Sequence, residues 1–142
     1  MCIIRDFDIK DKDEVTKLWI DICVDEYGFT HWKKELEVID DFTSLIVAEV
    51  DGKVVGTVAY QKFDAETAEL KRLYVNSSCR GMGIAQKLYD EIVDRIKKEG
   101  YTKLYLETWV QLESARKFYE KKGFVLTEIL RDGQVYHYIK DI

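Results

Sequence analysis

The sequence predicts an α/β fold (α+β by stricter usage), a mixed central β-sheet with flanking helices. Two observations carry that expectation. Asp51-Gly52 and Asp132-Gly133 each separate two β-rich runs, and an Asp-Gly pair in that setting is a strong hairpin signal. Between the hairpins, strand, loop, helix and strand follow one another from Glu69 to Thr108. That order is a βαβ unit, so its two strands should be parallel and joined right-handedly. Antiparallel hairpins on either side of a parallel pair make the sheet mixed.

The elements follow in chain order. Cys2 to Phe7 reads as a short first strand. Asp11 with Glu14 three residues later resembles a capping box, with Asp in the Ser/Thr place. Behind it Val15, Leu18, Trp19, Ile22 and Cys23 repeat at helical spacing, so one amphipathic helix should run on and fade near Tyr27–Gly28. A shorter helix with looser patterning is expected from His31 to Phe42. Ser44 to Val50 and Val54 to Phe63 form the first hairpin, and Ala68 to Val75 adds a third strand. From Gly83 to Lys98 the stripe Ile84, Leu88, Ile92 and Ile96 marks a helix that Gly100 is placed to end. Lys103 to Thr108 is a strand and Leu112 to Lys122 a helix stopping at Gly123. Phe124 to Leu130 and Gln134 to Lys140 complete the second hairpin.

The chain has 142 residues, no proline, no repeats and no low-complexity tract, so one domain over 1–142 is expected. With 46% hydrophobic and 35% charged residues it has the composition of an ordinary globular domain. No apolar run approaches the roughly 20 residues that span a bilayer, and the start carries Asp6 and Asp8 rather than a signal peptide's apolar core. These features point to the cytoplasm. Cys2, Cys23 and Cys79 form neither a CxxC pair nor zinc-type spacing, so no disulfide framework and no metal site are expected. A net charge of −5 argues against a nucleic-acid partner. One window runs against the acidic background: Leu70 to Tyr89 holds none of the 27 acidic residues but carries Lys71, Arg72, Arg80 and Lys87. An anionic ligand belongs there.

Within that window Arg80-Gly81-Met82-Gly83-Ile84-Ala85 sits between a strand and a helix. Glycines let backbone N–H groups come close to a ligand. The helix that follows aims its positive dipole end at the same place, and Arg80 adds a guanidinium fork for phosphate oxygens. A lone glycine pair is more often a plain strand-to-helix turn. No Walker Lys-Ser/Thr follows, and a Rossmann fingerprint would need a third small residue and a different place in the fold.

The segment Glu69-Leu70-Lys71-Arg72-Leu73-Tyr74-Val75, with Arg80, Gly83 and Ala85 on the pattern Q/R-x-x-G-x-G/A, resembles motif A of the GNAT superfamily of N-acetyltransferases. Ala115-Arg116-Lys117-Phe118-Tyr119-Glu120-Lys121-Lys122-Gly123-Phe124 resembles its motif B. The resemblance implies a GNAT-like acyl-CoA acyltransferase fold, with acetyl-CoA as co-substrate. It makes Leu73, Tyr74 and Val75 cofactor-binding candidates, backbone groups of Leu73 and Val75 holding the pantetheine arm as a pseudo-strand. Amides of Arg80, Gly81, Met82, Gly83, Ile84 and Ala85 would bind the pyrophosphate, and Tyr119 would lie near the thioester sulfur. Many members carry Asn where this chain has Leu112. Ser114 lies nearby, on a different helix face, and stands among the cofactor-binding candidates.

Acetyl transfer to an amine needs a proton removed from the nitrogen, a stabilised carbonyl oxygen and a leaving thiolate. Tyr119 is the candidate acid for the thiolate, although its own pattern, with Leu112, Ala115 and Phe118, is that of a packed apolar face. Glu69 and Glu107, one on each parallel strand, are the candidate bases, with Glu69 preferred; either also reads as a solvated or salt-bridged strand residue. His31 and His137 pair with no cysteine and read as surface or hydrogen-bonded residues. Cys79 adjoins the loop without a histidine partner and reads as a bystander. Asp25, Glu26, Tyr27 and Phe29 form an acidic-aromatic stretch that would suit a cationic amine, or simply a solvated helix end. The function expected is acetyl transfer to a primary amine of a small molecule. A protein or peptide amine, or an acyl-CoA sensor without turnover, are the alternatives. A homodimer through the C-terminal hairpin is possible on the pattern of an exposed edge.

Overall fold

The computed structural model describes residues 1–28 and 42–142. The helix expected over His31–Phe42 therefore lies, but for Phe42, outside the described residues, as does Phe29. By its contacts the chain divides into two compact units. One comprises Met1–Gln61 with Lys71–Arg95, the other Lys62–Leu70 with Ile96–Ile142. Seven strands hydrogen-bond in the order β1-β2-β3-β4-β5-β7-β6.

In the first unit β1 (Cys2–Asp6) runs antiparallel to β2 (Ser44–Val50), and β2 to β3 (Lys53–Lys62). The β2–β3 turn needs two successive positive φ angles, 52° at Asp51 and 78° at Gly52, which is why Asp-Gly stands there. Ile46, Val47, Ala48, Val58 and Ala59 are fully buried, and apolar residues on both faces of a strand mark a sheet covered on both sides.

α1 (Lys12–Ile20) continues into one wide turn over Asp21–Glu26, closed by Tyr27 N–H donating to the Ile22 carbonyl at 3.1 Å. It buries Val15, Leu18, Trp19, Ile22 and Cys23, the stripe read from the sequence. The capping box stands one turn earlier than expected. Asp8 accepts from the Lys10 amide, and Asp11 accepts from the Asp8 amide at 2.9 Å. Asp11 is drawn there by Arg5, whose guanidinium donates to both of its carboxylate oxygens at 2.8 and 2.9 Å. Arg5 hydrogen-bonding thus holds the Asp11 carboxyl below its usual range, against the opposing effect of burial. Glu14, freed from capping, accepts from the Val54 amide at 3.0 Å.

β4 (Thr67–Val75) runs through both units, and α2 (Ile84–Lys98) follows it, burying Ile84, Leu88, Ile92 and Ile96. In the second unit β4 pairs parallel with β5 (Lys103–Trp109) over Thr67–Glu69. β5 pairs antiparallel with β7 (Val135–Asp141), and β7 with β6 (Val125–Leu130), which ends the sheet order. α3 (Glu113–Lys121) precedes β6 and buries Tyr119. Leu104, Leu106 and Tyr138 are buried on one face of this part of the sheet. Among the described residues no helix is long and apolar enough to cross a membrane.

Candidate active site

The strand-to-helix loop of the first unit is built around Asn76. Its amide donates to the Val55 carbonyl at 2.7 Å, fixing the end of β4 to β3. Its side-chain oxygen accepts from the Ser78 amide and hydroxyl at 2.9 and 2.8 Å, folding Ser77–Cys79 into one tight turn. The chain then passes Gly81 and Gly83, with φ of 82° and 77°, left-handed conformations that favour glycine. A β-carbon at either glycine would meet no atom within 4 Å. The glycines are required by conformation, and the space beside them is open to a ligand. Lys87 N–H to the Gly83 carbonyl, at 3.2 Å, is the first bond of α2, so the amides ahead of it stay free of helical partners. This cradle fits a pyrophosphate: open, amide-lined and at the positive end of a 15-residue helix.

The strand leading to the cradle is bent at Arg72, whose φ of 56° lies in the left-handed region although it is not glycine. A buried chain of hydrogen bonds holds the bend. Trp19 Nε1 donates to Thr57 Oγ1 at 2.8 Å, and that hydroxyl donates to the Arg72 carbonyl at 2.7 Å. The Arg72 guanidinium stacks over Trp19 and Phe42, 5.3 and 5.6 Å from their ring centres. Strain of this kind persists only where the surroundings over-determine it. It re-aims the backbone of Leu73, Tyr74 and Val75, the stretch expected to hold the pantetheine arm.

Arg80 is already engaged. Its Nε donates to the Val75 carbonyl at 3.1 Å, and its two terminal nitrogens fork onto the two carboxylate oxygens of Glu26, one at 2.8 Å. Arg80 hydrogen-bonding in turn lowers the Glu26 carboxyl from its ordinary range, against burial. Part of the acidic stretch after α1 is therefore turned toward the loop's own arginine. Met82 is exposed and Ile84 buried, so Met82 borders the cradle while Ile84 anchors the helix. Cys79 is half-buried, with Sγ 3.7 Å from the Ser78 hydroxyl.

The remaining candidates lie in the second unit. Tyr119 is buried in α3, with its ring edge-on to Phe124, the centroids 5.5 Å apart. Ser114 is exposed in the first turn of α3. Leu112 occupies the N-cap of α3 and gives no side-chain cap. Glu69 is half-buried on β4, opposite Tyr105 in the parallel ladder. Glu107 is exposed on β5, opposite His137 of β7.

That last register brings together three side chains. The Tyr105 hydroxyl lies 3.0 Å from Glu107 Oε1 and 3.0 Å from His137 Nδ1, and His137 Nε2 lies 3.4 Å from the same Glu107 oxygen. Burial, with the Glu107 hydrogen bond second, raises the Tyr105 hydroxyl above the ordinary phenol range. The sequence does not single out Tyr105, and it reads His137 as a surface or hydrogen-bonded residue, which the contact with Tyr105 bears out. The two-residue spacing of Tyr105 and Glu107 places them on one face of a strand, but that His137 stands opposite needs the β5–β7 register, which pairs residues about 30 apart in the chain. Among the described residues no group of three His, Cys, Asp or Glu side chains is arranged to hold a metal.

Comparison with known proteins agrees with this geometry. The family model described as the acetyltransferase (GNAT) family matches residues 7–124. N-acetylaspartate synthetase of Danio rerio is 39% identical over 79 residues, 55% of this chain and 28% of that protein. The uncharacterized N-acetyltransferase YsnE of Bacillus subtilis is 32% identical over 82 residues, 56% of this chain and 54% of that protein. The first relatives matched are thus longer proteins, of which the alignments cover from 28% to 52%. A GNAT acetyltransferase of Staphylococcus aureus Mu50 superimposes with a TM-score of 0.86 at 19% identity, covering 99% of both chains. The PaiA N-acetyltransferase of Thermoplasma acidophilum, solved in complex with coenzyme A, does so with a TM-score of 0.82 at 22% identity, covering 100% of this chain and 99% of that one. Motif, loop geometry and fold therefore agree: the chain belongs to the GNAT family of acetyltransferases, which use acetyl-CoA as co-substrate.

Proposed function

We propose that the protein, as a single N-acetyltransferase domain over 1–142, transfers the acetyl group of acetyl-CoA directly to a primary amine of a small molecule. The observation that carries this reading is the glycine cradle, whose left-handed Gly81 and Gly83 leave open space at the N-terminus of α2. Bound there, acetyl-CoA supplies an acetyl group activated as a thioester. Amides of Arg80 to Ala85 hold its pyrophosphate, and backbone groups of Leu73 and Val75, re-aimed by the bend at Arg72, hold its arm. Tyr74 lines the same strand, and Ser114 offers a hydroxyl from α3.

Tyr119 gives a proton to the leaving thiolate. Glu69 and Glu107 are the carboxylates that serve proton removal from the amine. A small acceptor is supported by two names: N-acetylaspartate synthetase among the relatives, and an aminoglycoside 6'-N-acetyltransferase solved with coenzyme A among the structures sharing the fold. The three free cysteines support action in the reducing cytoplasm. We propose also that two copies pair along β6, a sheet edge whose Val125, Leu126, Ile129 and Leu130 are exposed.

The test is incubation with acetyl-CoA and a panel of polyamines, amino acids and one peptide N-terminus, following thiol release and acetylation of the amine by mass spectrometry. The reading predicts thiol released in step with acetylated small amine. Acetylation of the peptide alone would make the acceptor a protein. Cofactor binding without acetylation of any amine would make the chain a sensor.

A further inference from the structure

Arg72 has a guanidinium that the scaffold does not use up. Its backbone, at a φ of 56°, is held by the Thr57 hydroxyl donating to its carbonyl at 2.7 Å, so the bend of β4 does not hang on the side chain. The guanidinium carbon lies 5.3 Å from the ring centre of Trp19 and 5.6 Å from that of Phe42. Those rings stand edge to face, 82° apart with centres 6.2 Å from each other, an aromatic corner that attracts a cation. Its Nε is buried and meets no acceptor among the described residues. No carboxylate among them forms an ion pair with the guanidinium, and Glu26, on the turn after α1, is spent on Arg80. A buried donor on a charged group has lost its water and gained nothing in return. A cation left in that state calls for a partner from outside the chain.

We propose, on the acetyltransferase reading, that Arg72 binds a carboxylate of the acceptor, so that the amine acetylated is that of an amino acid. The position of Arg72 along β4 decides which anion it meets. With the pyrophosphate in the Arg80–Ala85 loop and the arm along Leu73–Val75, the cofactor runs back along the strand, and Arg72 stands beyond the arm at its acyl end. The anion met there belongs to the acceptor and not to the cofactor's phosphates.

The aromatic corner also decides the chemistry of the ligand. A guanidinium is planar, and the paired N–H groups along its edge match the two oxygens of a carboxylate. A polyamine brings only like charge to the same place, which repels it. Trp19 is fully buried and so keeps one wall of the corner fixed. Arg72 itself is half-buried, so a small carboxylate can reach it, and in those partly dry surroundings a charge-assisted hydrogen bond is stronger than in water. Anchored by its carboxylate, an amino acid keeps its nitrogen close by, at the end of the arm where the thioester lies. Arg72 is accordingly a specificity-determining residue that touches the acceptor but not the reacting atoms.

The test compares acceptors, with the full chain and acetyl-CoA. A panel of α- and β-amino acids is run beside their carboxamides, together with a polyamine, a phosphorylated amine and a peptide N-terminus, following thiol release and the acetylated product. Wild type should prefer the best amino acid over its carboxamide by about 100-fold in kcat/KM. Arg72→Met keeps an apolar stem against the rings and should abolish that preference, lowering the amino acid to the level of its carboxamide. Arg72→Lys keeps the charge without the fork and should recover only part of it. CoA affinity, read by calorimetry, should be the same in all three proteins. A wild type that acetylates the carboxamides, the polyamine or the peptide as readily overturns the proposal without any variant. Acetylation of the phosphorylated amine alone overturns the choice of carboxylate. Equal loss for amino acid and carboxamide in Arg72→Met, or loss of CoA affinity, makes the guanidinium part of the scaffold and overturns the proposal while leaving the acetyltransferase reading intact. A wild type that acetylates no amine overturns both.

Discussion

Arg80 spends three of its five guanidinium donors within the protein, one on the Val75 carbonyl and two on Glu26. Glu26 therefore occupies the guanidinium, and its negative charge would oppose a pyrophosphate bound beside it as proposed. Replacing it by glutamine keeps the shape and removes the charge, so Glu26→Gln should bind CoA about tenfold more tightly, roughly 1.4 kcal/mol. Titration calorimetry decides the sign: weaker binding would mean that Glu26 orients Arg80 rather than competing for it. Thr57 is a second residue with an outsized part. Its fully buried hydroxyl links the Trp19 indole to the carbonyl at the strained Arg72. Thr57→Val keeps the volume and leaves both partners unsatisfied, costing about 2 kcal/mol. Urea unfolding should show that loss, and affinity for CoA should fall with it because Leu73 to Val75 are no longer held in place.

Between elements, α2 lies against β3 at Gly56. A β-carbon there would come within 3.1 Å of both Leu88 Cδ1 and the Tyr74 carbonyl oxygen. The leucine can shift but the carbonyl belongs to the backbone, so Gly56→Ala should destabilise the protein by about 1–3 kcal/mol, measured as a lower urea midpoint. This scale also separates what was legible in the sequence from what was not. Both Asp-Gly hairpins, the Ile84–Ile96 stripe and the glycine loop could be read because each depends on neighbours a few residues apart. The capping box stands one turn earlier than the spacing predicts because the side chain of Arg5, at the end of β1, claims Asp11. The bend in β4 was hidden because a non-glycine residue takes positive φ only under tertiary compulsion, here from Trp19 and Thr57. The site divided likewise. The cradle and Tyr119 carry local motifs, whereas the link between Glu107 and His137 exists only through the β5–β7 register.

For the molecule as a whole, an acidic chain of net charge −5 concentrates a cationic stretch free of carboxylates where an anionic co-substrate is expected, so opposite charge favours the encounter. At the end of the strand order, β6 exposes Val125 (62%) and Ile129 (50%). Pairing of two copies there predicts a dimer by sedimentation that Ile129→Lys converts to monomer without loss of secondary structure; a wild-type monomer at all concentrations would contradict it. The central claim, that the Arg80–Ala85 cradle binds the pyrophosphate of acetyl-CoA, is tested most directly by titrating wild type and Gly83→Trp with CoA in a calorimeter. A tryptophan would occupy the open space beside Gly83. The account predicts about micromolar binding, near −8 kcal/mol, in the wild type, and its loss in the folded variant. A wild type that binds no CoA, or a variant that binds it equally well, would contradict the account.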